Sequence, residues 1–150
     1  MAGTLTLTPV TAADEADWRR LWTGYLDFYQ TALPEAVYAQ TFRRIVTGDH
    51  PGPYGLLALR DGQAVGLVHW IYHRSGWKIE DVCYLQDLYV DPAARGSGAG
   101  RALIEAVYAA ADAAGCPAVY WLTQEFNYAG RMLYDRVAVK SPFIRYNRPL

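Results

Sequence analysis

Cysteine is scarce in this chain. Only Cys83 and Cys116 occur among 150 residues. Two such residues in apolar company build neither a disulfide framework nor the paired spacing of a zinc site. Long hydrophobic runs are missing too: no stretch of about 18 apolar residues exists, which excludes an ordinary membrane-spanning helix. Met1 to Glu15 has no basic stretch followed by an apolar core, so no secretory signal is expected there. Nor is there an excess of charge of one sign. Fourteen Lys and Arg stand against fifteen Asp and Glu, a net charge of −1. Broad electrostatic capture of nucleic acid is therefore not expected, although a short basic patch would escape this test. No internal repeat, low-complexity tract or linker breaks the chain. What remains is one domain over residues 1–150, with no membrane partner, expected in the cytoplasm. Its composition, 52% hydrophobic and 19% charged, is that of a globular protein.

Aromatics are plentiful, with twelve Tyr, five Trp and four Phe. A large core with half-buried rings accounts for most of them. An aromatic-lined pocket or an oligomer interface is the alternative, and composition does not separate the two.

Thr4 to Val10 alternates and reads as a strand. Thr11 and Asp14 have capping-box spacing and open a helix. Trp18, Leu21, Trp22, Tyr25, Leu26 and Tyr29 then recur at helical intervals. Pro34 suits the first turn of a second helix, ended by Gly48. Gly55 to Arg60 and Gln63 to Tyr72 form a hairpin around Asp61-Gly62, a pair that tolerates positive φ. Val82 to Val90 is a third long strand, stopped by Asp91-Pro92. A Gly-rich turn from Arg95 to Gly100 leads into a helix through Ala114. Ala118 to Leu122 reads as a short strand, Asn127 as the N-cap of a helix to about Arg136, and Phe143 to Asn147 as a closing strand. The order β-α-α-β-β-β-α-β-α-β predicts a mixed α/β (α+β) fold in one piece.

The turn after Val90 carries the most chemistry. The first turn of a helix has unpaired N–H groups and a positive dipole end. Glycines at 96, 98 and 100 let the backbone approach a bulky anion, and Arg95 and Arg101 add charge at either end. Together these describe a phosphate cradle. It is not a P-loop, because no lysine lies in it. It is not the dinucleotide fingerprint either: counting from Gly96 or Gly98 reaches Arg101 or Leu103 where Gly or Ala is needed. The alternative is a Gly-rich strand–helix turn that binds nothing.

Arg95-Gly-Ser-Gly-Ala-Gly100 resembles the acetyl-CoA pyrophosphate loop, R/Q-x-x-G-x-G/A, of the GCN5-related N-acetyltransferase (GNAT) superfamily. The strand ending Leu88-Tyr-Val-Asp-Pro92 precedes it as in that family. Asn127-Tyr-Ala-Gly-Arg-Met-Leu-Tyr134 is similar to the family's N-x-x-A-x-x-L/F-Y segment, with Gly130 in place of Ala. Tyr84-Leu-Gln-Asp-Leu-Tyr-Val90 resembles the strand of the spermidine/spermine and diamine acetyltransferases. Trp121 to Asn127 and Phe143 to Tyr146 resemble the yeast histone and polyamine acetyltransferases. One departure stands out: Gln86 sits where these branches usually carry Glu.

The resemblance implies a single-domain α/β (α+β) fold, with a mixed, mostly antiparallel central sheet flanked by about four helices, and an enzyme that moves an acetyl group directly from acetyl-CoA, its co-substrate, to a primary amine. Gly96, Ser97, Gly98, Ala99 and Gly100, with Arg95 and Arg101, would hold the diphosphate. The backbone of Leu88, Tyr89 and Val90 would pair with the pantetheine arm as an added strand and offer an N–H to the oxyanion. Asn127 would hold the cofactor arm, cap its helix, or do both. Tyr134 would be the general acid for the leaving thiolate; an ordinary core tyrosine is the alternative. An ammonium must lose its proton before it attacks, and a carboxylate can take it directly or through water. Asp87 ranks first for that role, ahead of Glu80, Asp81 and Glu125. In regular alternation Gln86 and Asp87 point to opposite faces, and a bulge would change which of them meets the substrate.

The acceptor pocket is expected among Tyr25, Tyr29, Gln86, Trp77 and Glu125, with Trp22, Trp70 and His73 as further candidates. Trp22 and Trp70 read better as core, His69 and His73 are not read as metal ligands, and no metal is expected. Cys83 reads as a small buried residue. The acceptor is a small-molecule amine: a polyamine, diamine or amino acid. A protein lysine or N-terminal amine, and an acyl-CoA sensor without chemistry, are the alternatives. A homodimer joined through exposed aromatics and the C-terminal strand is expected from the resembling groups.

Overall fold

The computed structural model of the chain describes residues 3–150. Five strands form one sheet in chain order: β1 (Leu5–Pro9), β2 (Tyr54–Arg60), β3 (Gln63–His73), β4 (Val82–Val90) and β5 (Val119–Tyr120). The first four are antiparallel to their neighbours, and β5 lies parallel to β4. Four α-helices flank the sheet: α1 (Glu15–Phe28), α2 (Glu35–Thr47), α3 (Ala99–Ala113) and α4 (Tyr128–Val137). The expected fold class is the observed one.

Local chemistry accounts for the elements. Asp61 and Gly62 take φ of 50° and 81°, the positive pair that matches a two-residue hairpin to strand twist. Before α1, the amide and hydroxyl of Thr11 both donate to Asp14 Oδ2, at 2.7 and 3.0 Å. Gly48 ends α2 in the left-handed region at φ 67°.

Each face of the sheet has its own core. Trp18, Leu21, Trp22 and Leu26 of α1 and Phe42 and Ile45 of α2 pack on Leu57 and Leu67. Leu103, Ile104, Val107 and Ala111 of α3 pack on the opposite face with Val68, Trp70, Cys83 and Leu85. Tyr108 ties α3 to α4 by donating to the carbonyl of Val137 at 3.0 Å. Strand β3 is covered on both sides, which explains why its middle reads as a continuous apolar run.

Two irregularities of β4 shape the site. The first is a bulge. His69 pairs with Asp87 but Trp70 pairs with Leu85, so Gln86 is the extra residue. Cys83 and Leu85 face α3, and after the bulge so do Leu88 and Val90. Asp87 and Tyr89 are thereby turned to the α1 side. The second is a splay. Strand β5 meets β4 only at Cys83↔Val119 and Tyr84↔Tyr120, so β4 runs on to Val90 with one edge open.

The strand expected over Ala118 to Leu122 is therefore shorter, Val119–Tyr120. The closing strand expected over Phe143 to Asn147 does not form. Phe143, Ile144 and Tyr146 are 79%, 77% and 88% exposed. Strand-forming residues need an edge to pair with, and residues 143–147 meet none within their own chain.

Candidate active site

The loop after β4 is built to present backbone N–H groups. Asp91 turns the chain by accepting from the amide of Ala93 at 3.3 Å. Gly96 and Gly98 then take φ of 78° and 86°, with open space where a Cβ would stand. Glycine is required there by backbone conformation, not by crowding. At Gly100 the reason differs: a Cβ would lie 3.2 Å from Leu133 Cδ2, so the glycine lets α3 close on α4. The first amide of α3 with a partner is that of Ala102, bonded to the carbonyl of Gly98 at 3.0 Å. The amides of Ala99, Gly100 and Arg101 are left for an outside acceptor.

Arg60 fixes the loop from below. It donates through Nη2 to the carbonyl of Ser97 at 3.0 Å and through Nη1 to that of Gly3 at 2.9 Å. Arg60 Nε and Ser97 Oγ are buried there without partners, so polar capacity remains beside the loop. Arg95 donates from Nε to the carbonyl of Val90 at 3.3 Å, and Arg101 is paired with Glu105 at 2.8 Å. Free amides, a helix N-terminus and two exposed guanidiniums fit the diphosphate of a CoA thioester.

The open edge of β4 leads inward from this loop. The amide of Asp91 donates to the carbonyl of Val65 on the β3 side, at 2.7 Å. By alternation the N–H groups of Leu88 and Val90 face the open edge. An extended arm can add there as a strand.

Tyr134 lies on α4 beyond that edge, its ring edge-on to Trp121 with centroids 5.5 Å apart. Burial, with Tyr29 nearby, pushes its phenol up to about 12. It therefore stays protonated and can donate. The helix that carries it begins at Asn127, whose Oδ1 accepts from the amide of Gly130 at 3.2 Å and whose Nδ2 donates to Thr123 Oγ1 at 3.0 Å. A Cβ at position 130 would lie 2.6 Å from Asn127 Nδ2, which explains glycine where the resembling pattern has Ala.

Asp87 sits opposite, at the bulge. Its Oδ2 accepts from His69 Nδ1 at 2.8 Å and from Trp22 Nε1 at 3.2 Å. Tyr25 and Tyr29 pack edge to face at 5.1 Å beside it, and Tyr25 Oη lies 3.5 Å from the carbonyl of Gln86. Burial raises both phenols, and the charge of Asp87 adds to it. Tyr84 is raised likewise by burial, with Tyr120 adding and Arg145 of the tail opposing.

Of the residues singled out by sequence, Tyr25, Tyr29, Gln86 and Asp87 lie together where α1 meets the bulge of β4, and Tyr29 in turn lies near Tyr134 of α4. Trp77 is not among them: it stands 90% exposed on the β3–β4 connection. Glu125 is exposed on the loop before α4, where its carbonyl accepts from Arg131 at 2.7 Å. Trp70 faces α3, and His73 bonds Tyr120 Oη at 2.8 Å. Cys83 is fully buried, its thiol pushed to about 12 by burial, so it is no nucleophile. Sequence reasoning missed His69, Trp18 and Arg60. The spacing of Trp18 and Trp22 and the position of His69 on the face of Leu67 were visible, but pairing them requires the sheet register.

A sequence model of the acetyltransferase (GNAT) family matches residues 17–138. The chain is 41% identical over 137 residues to the D-amino-acid N-acetyltransferase HPA3 of Saccharomyces cerevisiae, covering 90% of this chain and 84% of that one. It is 31% identical over 119 residues to an aminoglycoside N(6′)-acetyltransferase type 1 of Stenotrophomonas maltophilia, covering 77% and 73% of the two chains. Its fold is similar to that of the aminoglycoside acetyltransferase AAC(6′)-Iy in complex with a CoA bisubstrate analogue. There the TM-score is 0.84 at 18% identity, over 98% of this chain and 99% of the other.

Proposed function

The chain belongs to the acetyltransferase (GNAT) family, and from that premise we propose that it transfers the acetyl group of acetyl-CoA to the primary amine of a small molecule. One observation carries this reading. The open edge of β4 runs from the amides of the 95–101 loop back to the bulge, where Tyr29 lies near both Asp87 and Tyr134, and the reading puts the gap for the reacting atoms between those two. A thioester lying along that edge, with its diphosphate at the loop, brings its carbonyl carbon into the gap.

The chemistry follows from the groups present. Asp87 takes the ammonium proton, directly or through water, and frees the nitrogen lone pair. The amine attacks the thioester carbon. An N–H of the 88–90 stretch supports the oxyanion that forms. The C–S bond breaks as the tetrahedral centre collapses; Tyr134 gives its proton to the departing thiolate, and the second proton of the attacking nitrogen, lost as the amide forms, restores the phenol. Gln86 lines the acceptor side through the bulge but carries no charge to hold a cation. Among acceptors, amino acids rank beside polyamines and diamines, since a relative at 41% identity is named for D-amino acids.

The same reading pairs two copies of the chain through the apolar tail, where Phe143, Ile144 and Tyr146 stand exposed. It places the enzyme in the cytoplasm, with both cysteines free. Free-thiol release from acetyl-CoA across D- and L-amino acids, diamines, polyamines and lysine peptides tests it. Release that requires a small amine supports the reading. Binding of acetyl-CoA with no release on any amine would turn it into that of an acyl-CoA sensor, and release on peptides alone would make it a protein acetyltransferase.

A further inference from the structure

His69 and Asp87 are both buried, 1% and 6% exposed, and they are bonded to each other at 2.8 Å. A third residue decides how the protons between them are placed. An indole N–H can only donate. Trp18 Nε1 lies 2.8 Å from His69 Nε2, so that nitrogen is an acceptor and carries no proton. The imidazole proton is on Nδ1 and is donated to Asp87 Oδ2. The ring that satisfies both bonds is neutral.

The surroundings hold it there. Trp18 is fully buried and stacks on Trp22 at 5.0 Å. Gly55, paired with His69 across β2 and β3, leaves the ring its room: a Cβ there would lie 3.2 Å from His69 Cδ2. Trp22 and His69 both donate to Oδ2, and the Tyr25 hydroxyl is a third, neutral hydrogen-bond partner of the carboxylate. The only ion-pairing contact of Asp87 among the described residues is with His69. The phenols nearest it, Tyr25 and Tyr29, are kept protonated by burial. Among the described residues the pocket therefore holds a buried carboxylate met by neutral donors and by no cation.

We infer that Trp18 and His69 are positioning residues that lock Asp87 as an unneutralised carboxylate, so that the missing positive charge is supplied by the ammonium group of the acceptor. The inference rests on the acetyl-transfer reading for its catalytic consequence, but the proton placement stands without it. The acceptor binds as R–NH₃⁺ at Oδ1. One N–H bond breaks and its proton moves to Oδ1; the lone pair left on nitrogen forms the new C–N bond, the C–S bond breaks, and the second N–H proton, lost as the amide forms, replaces the one that Tyr134 gives to the thiolate. Asp87 returns that proton to solvent after the product leaves. Without the indole donor, the imidazole is free to take a second proton and to neutralise Asp87 from inside, and the demand for a cationic acceptor falls.

Two readouts test this. In protein labelled with ¹⁵N-histidine, three imidazoles occur, those of His50, His69 and His73. The signal lost in His69→Asn is expected to be a neutral ring protonated on Nδ1 at neutral pH, and Trp18→Phe is expected to abolish that fixed pattern. A ring protonated on Nε2, or on both nitrogens, overturns the inference whatever the enzyme does. In steady-state kinetics His69→Asn keeps an N–H where Nδ1–H was, and His69→Leu does not. The expected kcat is within about threefold of the parent for His69→Asn and at least about tenfold lower for His69→Leu, at unchanged KM for acetyl-CoA. Equal kcat in the two variants overturns the positioning role. Should His69→Leu not fold, Trp18→Phe replaces it, with a lowered preference for charged over neutral acceptors as the supporting result and an unchanged preference as the contrary one. A parent enzyme that acetylates no amine refutes the functional reading instead, and the NMR result still decides the lock.

Discussion

Arg60 donates to the carbonyl of Ser97 at 3.0 Å, so the last residue of β2 fixes the loop that follows β4. With that carbonyl held below, the neighbouring amides are turned outward. A hydrogen bond from a charged donor contributes about 1.5–3 kcal/mol. Arg60→Ala is therefore expected to raise KM for acetyl-CoA at least about tenfold, with kcat at saturation little changed. Lysine at this position would not restore both carbonyl contacts. An unchanged KM would show that the loop holds its shape unaided.

Gly98→Ala separates conformation from crowding. Its φ of 86° costs an alanine about 1–2 kcal/mol, although the Cβ meets nothing within 4 Å. KM for acetyl-CoA is expected to rise about tenfold. Gly62→Ala, at φ 81° in the distant hairpin turn, is the control. It is expected to lower thermal stability and leave KM alone. Equal KM values in the two variants would remove the loop from the binding site.

Tyr134→Phe is expected to lower kcat about a hundredfold while KM for acetyl-CoA holds. The phenol is raised to about 12, so its proton is present at every pH below that. In a pH–kcat profile the parent should keep its rate past pH 10, where an ordinary tyrosine would already be ionised. A loss of rate between pH 9 and 10 that disappears in the phenylalanine variant would contradict the raised phenol, and an unchanged kcat in Tyr134→Phe would contradict the general-acid role.

Alkaline stability follows from the same burial. Tyr25, Tyr29, Tyr84 and Tyr134 all have phenols raised in the folded chain. Above about pH 10 the unfolded chain releases those protons and the folded chain does not. The unfolded state then binds fewer protons, so stability falls as pH rises through this window. Urea midpoints should begin to fall near pH 9, where the unfolded chain ionises the thiol that burial holds protonated at Cys83, and fall more steeply between pH 10 and 11 as the phenols follow. Midpoints that hold steady to pH 11 would mean the phenols ionise as freely as in solution.

Removal of residues 140–150 tests the pairing of two copies. Light scattering on the full chain should give twice 16.8 kDa, and on the truncated chain a single copy. A mass of one chain for the intact protein would leave the exposed tail without that partner.

Much of this architecture could be read from residue order. Asp61-Gly62 specified its hairpin, Gly48 its helix end, and Asn127 its cap, because each acts on its immediate neighbours. The glycine loop was equally local. What escaped was set across the sheet. The bulge at Gln86 depends on the register between β3 and β4, and it decides that Asp87 faces α1. The bond between Trp18 and His69 spans 51 positions. Trp77 was drawn to the acceptor side as an aromatic, but the turn that carries it leaves it in solvent. Phe143 to Asn147 has the residues of a strand, and strand formation depends on an available edge that no local pattern records.

The most direct test is a crystal structure with acetyl-CoA bound. The expected result is a diphosphate within hydrogen-bond distance of the amides of residues 96–101, the pantetheine arm along Leu88 to Val90, and the thioester between Tyr134 and Asp87. A diphosphate seated elsewhere, with those amides turned to water, would contradict it.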